Sequence, residues 1–147
     1  MSFCFHASLS PGSAKPIVEC EARYGAPAKI FETPTPPATA QRIYVKNGYV
    51  IAVMFLDHVA QSIAFAKEDK SELSDVEQEQ LMRADGGSHE WKKRNLVSMD
   101  KEWILDDGNA FAFYEPFKQL LIFCTKHWLD VTEERKATLE KKQLEGF

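Results

Sequence analysis

Four histidines, three cysteines and one pair of adjacent aspartates carry most of the chemistry this chain could offer. Cys124 and His127 stand in C-x-x-H spacing, and Cys4 and His6 in C-x-H spacing. A structural zinc needs four ligands, commonly as two close pairs, so these half-sites would have to meet. Cys124, however, ends the apolar run Leu120-Leu121-Ile122-Phe123, where a thiol is a packing group. No metal and no cofactor is expected on these grounds. His89-Glu90 is not a zincin signature, because Lys92 and Lys93 stand where the second histidine would be sought. His89 reads as a loop residue. Asp106-Asp107 could act as paired acids or hold a cation, but neighbours in a strand point to opposite faces, and turn formation is reason enough for both.

Asp57-His58 falls at a strand-to-strand bend. Together with His127 it forms the alternative candidate site, the pocket of a small enzyme or ligand-binding domain. The chain has no G-x-S-x-G elbow around a nucleophile. Gly86-Gly87 follows a helix instead of opening one, so there is no phosphate loop. No catalytic residue is assigned. The remaining candidates are aromatic. Tyrosine and tryptophan dominate interface hot spots because they bury much area and keep a polar handle. Trp91, Trp128 and Tyr49 are the candidate binding residues, whereas Trp103 reads as core. The function expected is a non-enzymatic protein-binding or inhibitory module.

The totals bound the partners. At 147 residues and 44% hydrophobic composition the chain fits one domain with a core that needs no staples. A net charge of −4 argues against nucleic acid, which requires a basic face. The compact basic run Lys92-Lys93-Arg94 reads as a solvated loop. The longest apolar run, Tyr49 to Leu56, is far shorter than the roughly 18 residues of a membrane span. Three cysteines are too few for a disulfide scaffold, although Cys4 and Cys20 could pair in an exported protein. Met1 to Leu9 lacks a basic start, and Ser8, Ser10, Pro11 and Gly12 interrupt any apolar segment. A cytoplasmic location with reduced thiols is the default, and export applies if a signal peptide has been removed. The partner expected is another protein or a second copy of the chain.

The elements that must position these residues are organised around residues 42–66. Asn47-Gly48 between two β-branched and aromatic runs is a strong hairpin signal, because a type I′ turn needs positive φ at both central residues. The strand that follows is apolar at nearly every position and is expected mid-sheet with both faces covered. In the next strand Val59, Gln61, Ile63 and Phe65 alternate with Ala60, Ser62, Ala64 and Ala66, and the small face predicts a closely packed helix. Pro16 to Tyr24 reads as a short helix with Gly25 at its end. Lys29-Ile30-Phe31 reads as an edge strand, and residues 33–40 as a proline-rich connector. Ser74-Asp75-Val76-Glu77 is a capping box that opens a helix reaching Ala84. Strands are expected between Leu96 and Leu105, from Asn109 to Tyr114 and from Gln119 to Thr125. Asp130-Val131-Thr132-Glu133 is expected to cap a charged helical tail over residues 130–147. Residues 1–15 read as irregular. The whole is an α+β single domain, an antiparallel meander of about five to seven strands by the usual patterning rules, packed with a short N-terminal helix, a middle helix and a C-terminal helix. Hairpin plus helix occurs twice, a loose symmetry without a fixed period.

Arg23-Tyr24-Gly25-Ala26-Pro27, the run Lys46 to Ile51, Phe55, Gly86-Gly87-Ser88 with Trp91, and Asp107-Gly108-Asn109-Ala110 together resemble a family of small uncharacterised bacterial α+β proteins, often exported. The resemblance spans residues 17–126 and implies no catalytic residues. The architecture is also similar to the helix-plus-antiparallel-sheet units of β-lactamase-inhibitor-like proteins, which would make a sheet face the binding surface.

Overall fold

Local turn chemistry builds most of the sheet. In the computed structural model, which describes residues 15–94 and 101–147, α1 (Ile17–Tyr24) is followed by β1 (Lys29–Ile30), β2 (Ala40–Lys46), β3 (Tyr49–Leu56) and β4 (Val59–Lys67). Asn47 and Gly48 take φ of 53° and 84°, so the Asn-Gly turn closes β2 on β3 as its sequence requires. Asp57 and His58 take φ of 49° and 69° between the paired residues Leu56 and Val59. The bend is therefore a second two-residue hairpin turn, with His58 in a conformation uncommon for a side chain of its size.

α2 (Asp75–Gly86) opens with the predicted capping box. The Ser74 hydroxyl accepts the Glu77 amide at 3.1 Å, and the Glu77 carboxylate accepts the Ser74 amide at 2.9 Å. β5 (Trp91–Arg94), β6 (Lys101–Leu105), β7 (Ala110–Glu115) and β8 (Leu120–Thr125) complete the sheet. Three expectations need correction here. Trp91 and the basic run Lys92-Lys93-Arg94 form a strand rather than a loop. The described residues hold eight strands. The last helix, α3 (Lys126–Leu144), starts four residues before Asp130. Its cap is Thr125, whose hydroxyl accepts the Trp128 amide at 2.9 Å. Thr125 ends β8 and caps α3 at once, so no loop marks the boundary, and Asp130 instead pairs with Lys126 along the helix surface at 2.9 Å.

The strand order is β1-β2-β3-β4-β8-β7-β6-β5, antiparallel throughout. Two four-stranded meanders thus lie side by side, each preceded by a helix, and they join where Ile63 meets Phe123 and Ala64 meets Ile122. The loose symmetry of the sequence is this arrangement. α2 carries the chain from the middle of the sheet to its far edge. Both edges are blunted, one by a strand of only two residues and the other by exposed Lys92, Lys93 and Arg94. No helix among the described residues is long and apolar enough to cross a membrane.

The core lies on one face. Tyr44, Ile51, Val53, Phe55, Ile63 and Phe65 from the first meander meet Trp103, Ala112, Tyr114, Leu121 and Phe123 from the second. Cys20 and Tyr24 of α1, Leu73 before α2 and Met82 within it close over them. β3 is therefore mid-sheet but buried on one side only, its residues alternating between buried and partly exposed. The helices α1 and α2 cover the bulky face of β4 and not the small one. Rings need depth to be buried, and the two helices supply it there.

Candidate binding surface

The opposite face of the sheet carries an apolar surface whose described side chains are partly exposed. Period-2 alternation puts Val50, Ala52, Met54 and Leu56 of β3 on it, beside Ser62, Ala64 and Ala66 of β4. Leu120 and Ile122 of β8 continue it, then Phe111 and Phe113 of β7, whose rings stack at 6.4 Å and 15°. All of these side chains are partly exposed. At the centre Ala52 pairs with Ala64 and Ala64 with Ile122, so the side chains contributed by β3 and β4 there are short. One end is covered by the first turn of α3, where Trp128 and Leu129 join a cluster with Ala38, Cys124, Met54, Leu56, Phe111 and Phe113. Beyond that turn the helix is almost entirely exposed and charged.

Of the candidate aromatic residues, Trp91 and Tyr49 sit on the covered side and Trp128 at the edge of this face. The Trp91 indole points under α2. Its N–H donates to the Met82 carbonyl at 2.7 Å, and its ring lies 5.7 Å from Phe123. A Cβ on Gly86 would come within 2.8 Å of that indole nitrogen, so the glycine makes room for the ring. Trp128 is buried at the base of α3. Tyr49 is half-buried, and its hydroxyl donates to the Glu77 carboxylate, which raises the phenol pKa to about 12. Of the alternative trio, Asp57 and His58 form the exposed β3–β4 turn, and His127 is the exposed second residue of α3. The pairing of β4 with β8 brings all three to one end of the sheet, and no described hydrogen bond joins them.

The thiols are packing groups. Cys20 and Cys124 are free and buried, and burial pushes each pKa to about 12. Neither is a poised nucleophile or ligand. Cys4 and His6, half of the zinc reading and of the suggested disulfide, lie outside the described residues. Beside Cys20 the ammonium of Lys15 meets the Asp85 carboxylate at 3.1 Å, with 1% and 4% of the two side chains exposed.

One cluster escaped the sequence reading. His89 Nδ1 lies 2.6 Å from Asp106 Oδ1 and 3.8 Å from Asp107 Oδ2. The hydrogen bond to Asp106 raises the histidine pKa, while Asp106, which also accepts the Glu90 amide at 3.1 Å, is held below the usual carboxylate range. The Trp91–Leu105 pairing sets the residues before β5 beside those after β6. The signal was available as a histidine two residues before one strand and an Asp-Asp-Gly turn after its partner. As arranged, the three side chains fasten the loop after α2 to the β6–β7 turn.

Neither a protein-family model nor a curated protein matches the chain. Among solved structures, a cysteine-rich secretory protein from Staphylococcus aureus subsp. aureus Mu50 is similar, with a TM-score of 0.46 and 10% identity. The alignment covers 84% of this chain and 49% of that protein, so the chain spans about half its length.

Proposed function

We propose that the protein is a non-enzymatic binding module that engages another protein through the open face of its sheet. The observation that carries the reading is the contiguous apolar surface from Val50 to Phe113, partly exposed across four adjacent strands and, among the described residues, packed at one end against the first turn of α3. Contiguous apolar patches larger than roughly a few hundred Å² are uncommon on monomers and mark interaction sites. The blunted sheet edges favour a partner that lies across the face over one that adds a strand. The similarity to inhibitor-like helix-plus-sheet units supports the same choice of surface. In this reading Trp91 shapes the core and Trp128 borders the interface.

The test is capture of a partner by the wild-type chain and by charge substitutions. Ala64→Arg and Ile122→Arg place a cation in the middle of the open face. Val76→Arg, at an exposed position of α2, is the control. A partner retained by wild type and Val76→Arg but lost from both open-face variants supports the proposal, provided circular dichroism and melting show that the variants fold. Capture that is indifferent to both open-face charges defeats it. Light scattering on the same proteins separates a foreign partner from a second copy of the chain.

A further inference from the structure

On the covered side, α1 and α2 do not meet over the whole sheet. Between their C-terminal ends lies a cavity of about 280 Å³, near the low end of the roughly 300–1,000 Å³ typical of small-molecule sites. Its walls are apolar and aromatic, formed by Tyr24, Ile51, Phe65 and Leu81. Its lip is polar and comes from two separate elements, Arg23 at the end of α1 and Lys46-Asn47 at the β2–β3 turn.

The lip is rich in donors. Arg23 spends one N–H on the Ala84 carbonyl at 3.2 Å, and Lys46 donates to the Arg23 carbonyl. These bonds cap the carbonyl ends of both helices and hold the cations in place. A guanidinium carries five N–H donors and an ammonium three, so capacity remains on each. Of the acid in the lining, Asp85, one oxygen meets the buried Lys15 ammonium and the other is buried with no hydrogen-bond partner among the described residues. The nearby Glu77 accepts from Tyr49 and Lys67. Among the described residues neither Arg23 nor Lys46 is in an ion pair, so the mouth carries two cations above an apolar floor.

We propose that this cavity binds a small amphipathic anion, a monocarboxylate with an aromatic or branched apolar body. The body lies against Phe65, Ile51 and Leu81, and the carboxylate takes hydrogen bonds from Arg23 and Lys46. The site is on the opposite side of the sheet from the proposed protein interface and stands or falls independently of it.

The experiment is an amide-shift titration of the full chain with phenylpropionate, its neutral alcohol and phenylethylammonium. Lys46→Gln and Arg23→Gln keep a donor for the capped carbonyls while removing charge, and Leu81→Trp fills the floor. Phenylpropionate is expected to shift the amides of Arg23, Lys46, Asn47 and Ala84 and to bind more tightly than either analogue. Each charge removal should weaken it about tenfold, the scale of a lost charge-assisted hydrogen bond. Leu81→Trp should abolish the shifts while a melting curve shows the fold intact. Equal or tighter binding of phenylethylammonium overturns the proposal. So do shifts that survive the glutamine variants, or the absence of shifts at these amides in the wild type.

Discussion

The two faces of the sheet are built from alternate residues of the same strands, yet they solve different problems. On the covered face a continuous series of rings crosses both meanders. Tyr44 meets Tyr24 at 5.6 Å, Tyr24 meets Phe65 at 6.2 Å, Phe65 meets Phe123 at 5.9 Å and Phe123 meets Trp91 at 5.7 Å. Tyr24 belongs to α1 and Trp91 to β5, so this one series ties the first helix to the far half of the sheet. The open face has Ala52, Ala64 and Ala66 at its centre in place of rings and an aromatic stack, Phe111 on Phe113, to the side. The covered face holds the molecule together. The open face is apolar and only partly exposed, with short side chains on β3 and β4 at its centre.

The sharpest break in this comparison is between two adjacent residues of β8. Phe123 is fully buried among the rings, and Ile122 points to the open side. Phe123→Ala should cost about 4 kcal/mol, the scale of a buried phenylalanine removed with a cavity left behind, while Ile122→Ala should cost about 1 kcal/mol because part of that side chain is already in water. Urea unfolding monitored by tryptophan fluorescence measures both. Equal losses would mean that the open face is structural core and that the two faces do not differ in kind.

A second contrast sets the apolar core against the ion pair buried within it. Asp85→Ala leaves the Lys15 ammonium without its carboxylate at a site where only 1% of that side chain is exposed, and should cost about 3 kcal/mol. The paired substitution Lys15→Met with Asp85→Leu should recover most of that loss, because apolar groups of similar size do not need the pairing. If the single substitution is neutral in urea unfolding, the pair contributes nothing to the covered side.

Much of this was legible where the signal is local. Asn47-Gly48, the Ser74–Glu77 box and Gly25 after α1 specify turns and caps through nearby backbone groups, and the structure has each of them. The start of α3 was missed because Thr125 serves strand and helix together. The small face of β4 was expected to carry a closely packed helix. Instead α1 and α2 lie on the bulky side, and among the described residues only the first turn of α3 meets the small one, at its end. Alternation along β4 separates Ile63 and Phe65 from Ala64 and Ala66, but it cannot say which set the helices will cover. That is decided by the rings that Tyr24, Trp91 and Phe123 bring from distant parts of the chain. The β4–β8 seam is a pairing across some sixty residues, with no local signature. The cavity is less legible still, since Arg23, Lys46, Phe65 and Leu81 converge only once both helices are docked.

The smallest effect tests the border of the covered face, where α2 is fastened to the first meander. Glu77 accepts the Ser74 amide, the Tyr49 hydroxyl and the Lys67 ammonium, and these bonds, the Ser74 amide foremost, hold its pKa at about 2. Because the folded-state value is depressed, the stabilisation is fully present above the unfolded value of about 4.3 and is lost as pH falls through the folded one. Stability should therefore decline from about pH 4 toward pH 2, and Glu77→Gln should flatten that part of the profile while lowering stability at neutral pH. The amide can still accept one hydrogen bond, but it cannot pair with Lys67 or take the Tyr49 proton as strongly. An open-face control, Ser62→Ala, should leave the acid limb unchanged. If Glu77→Gln and the wild type lose stability in parallel between these limits, the carboxylate's charge does not fasten the helix to the first meander.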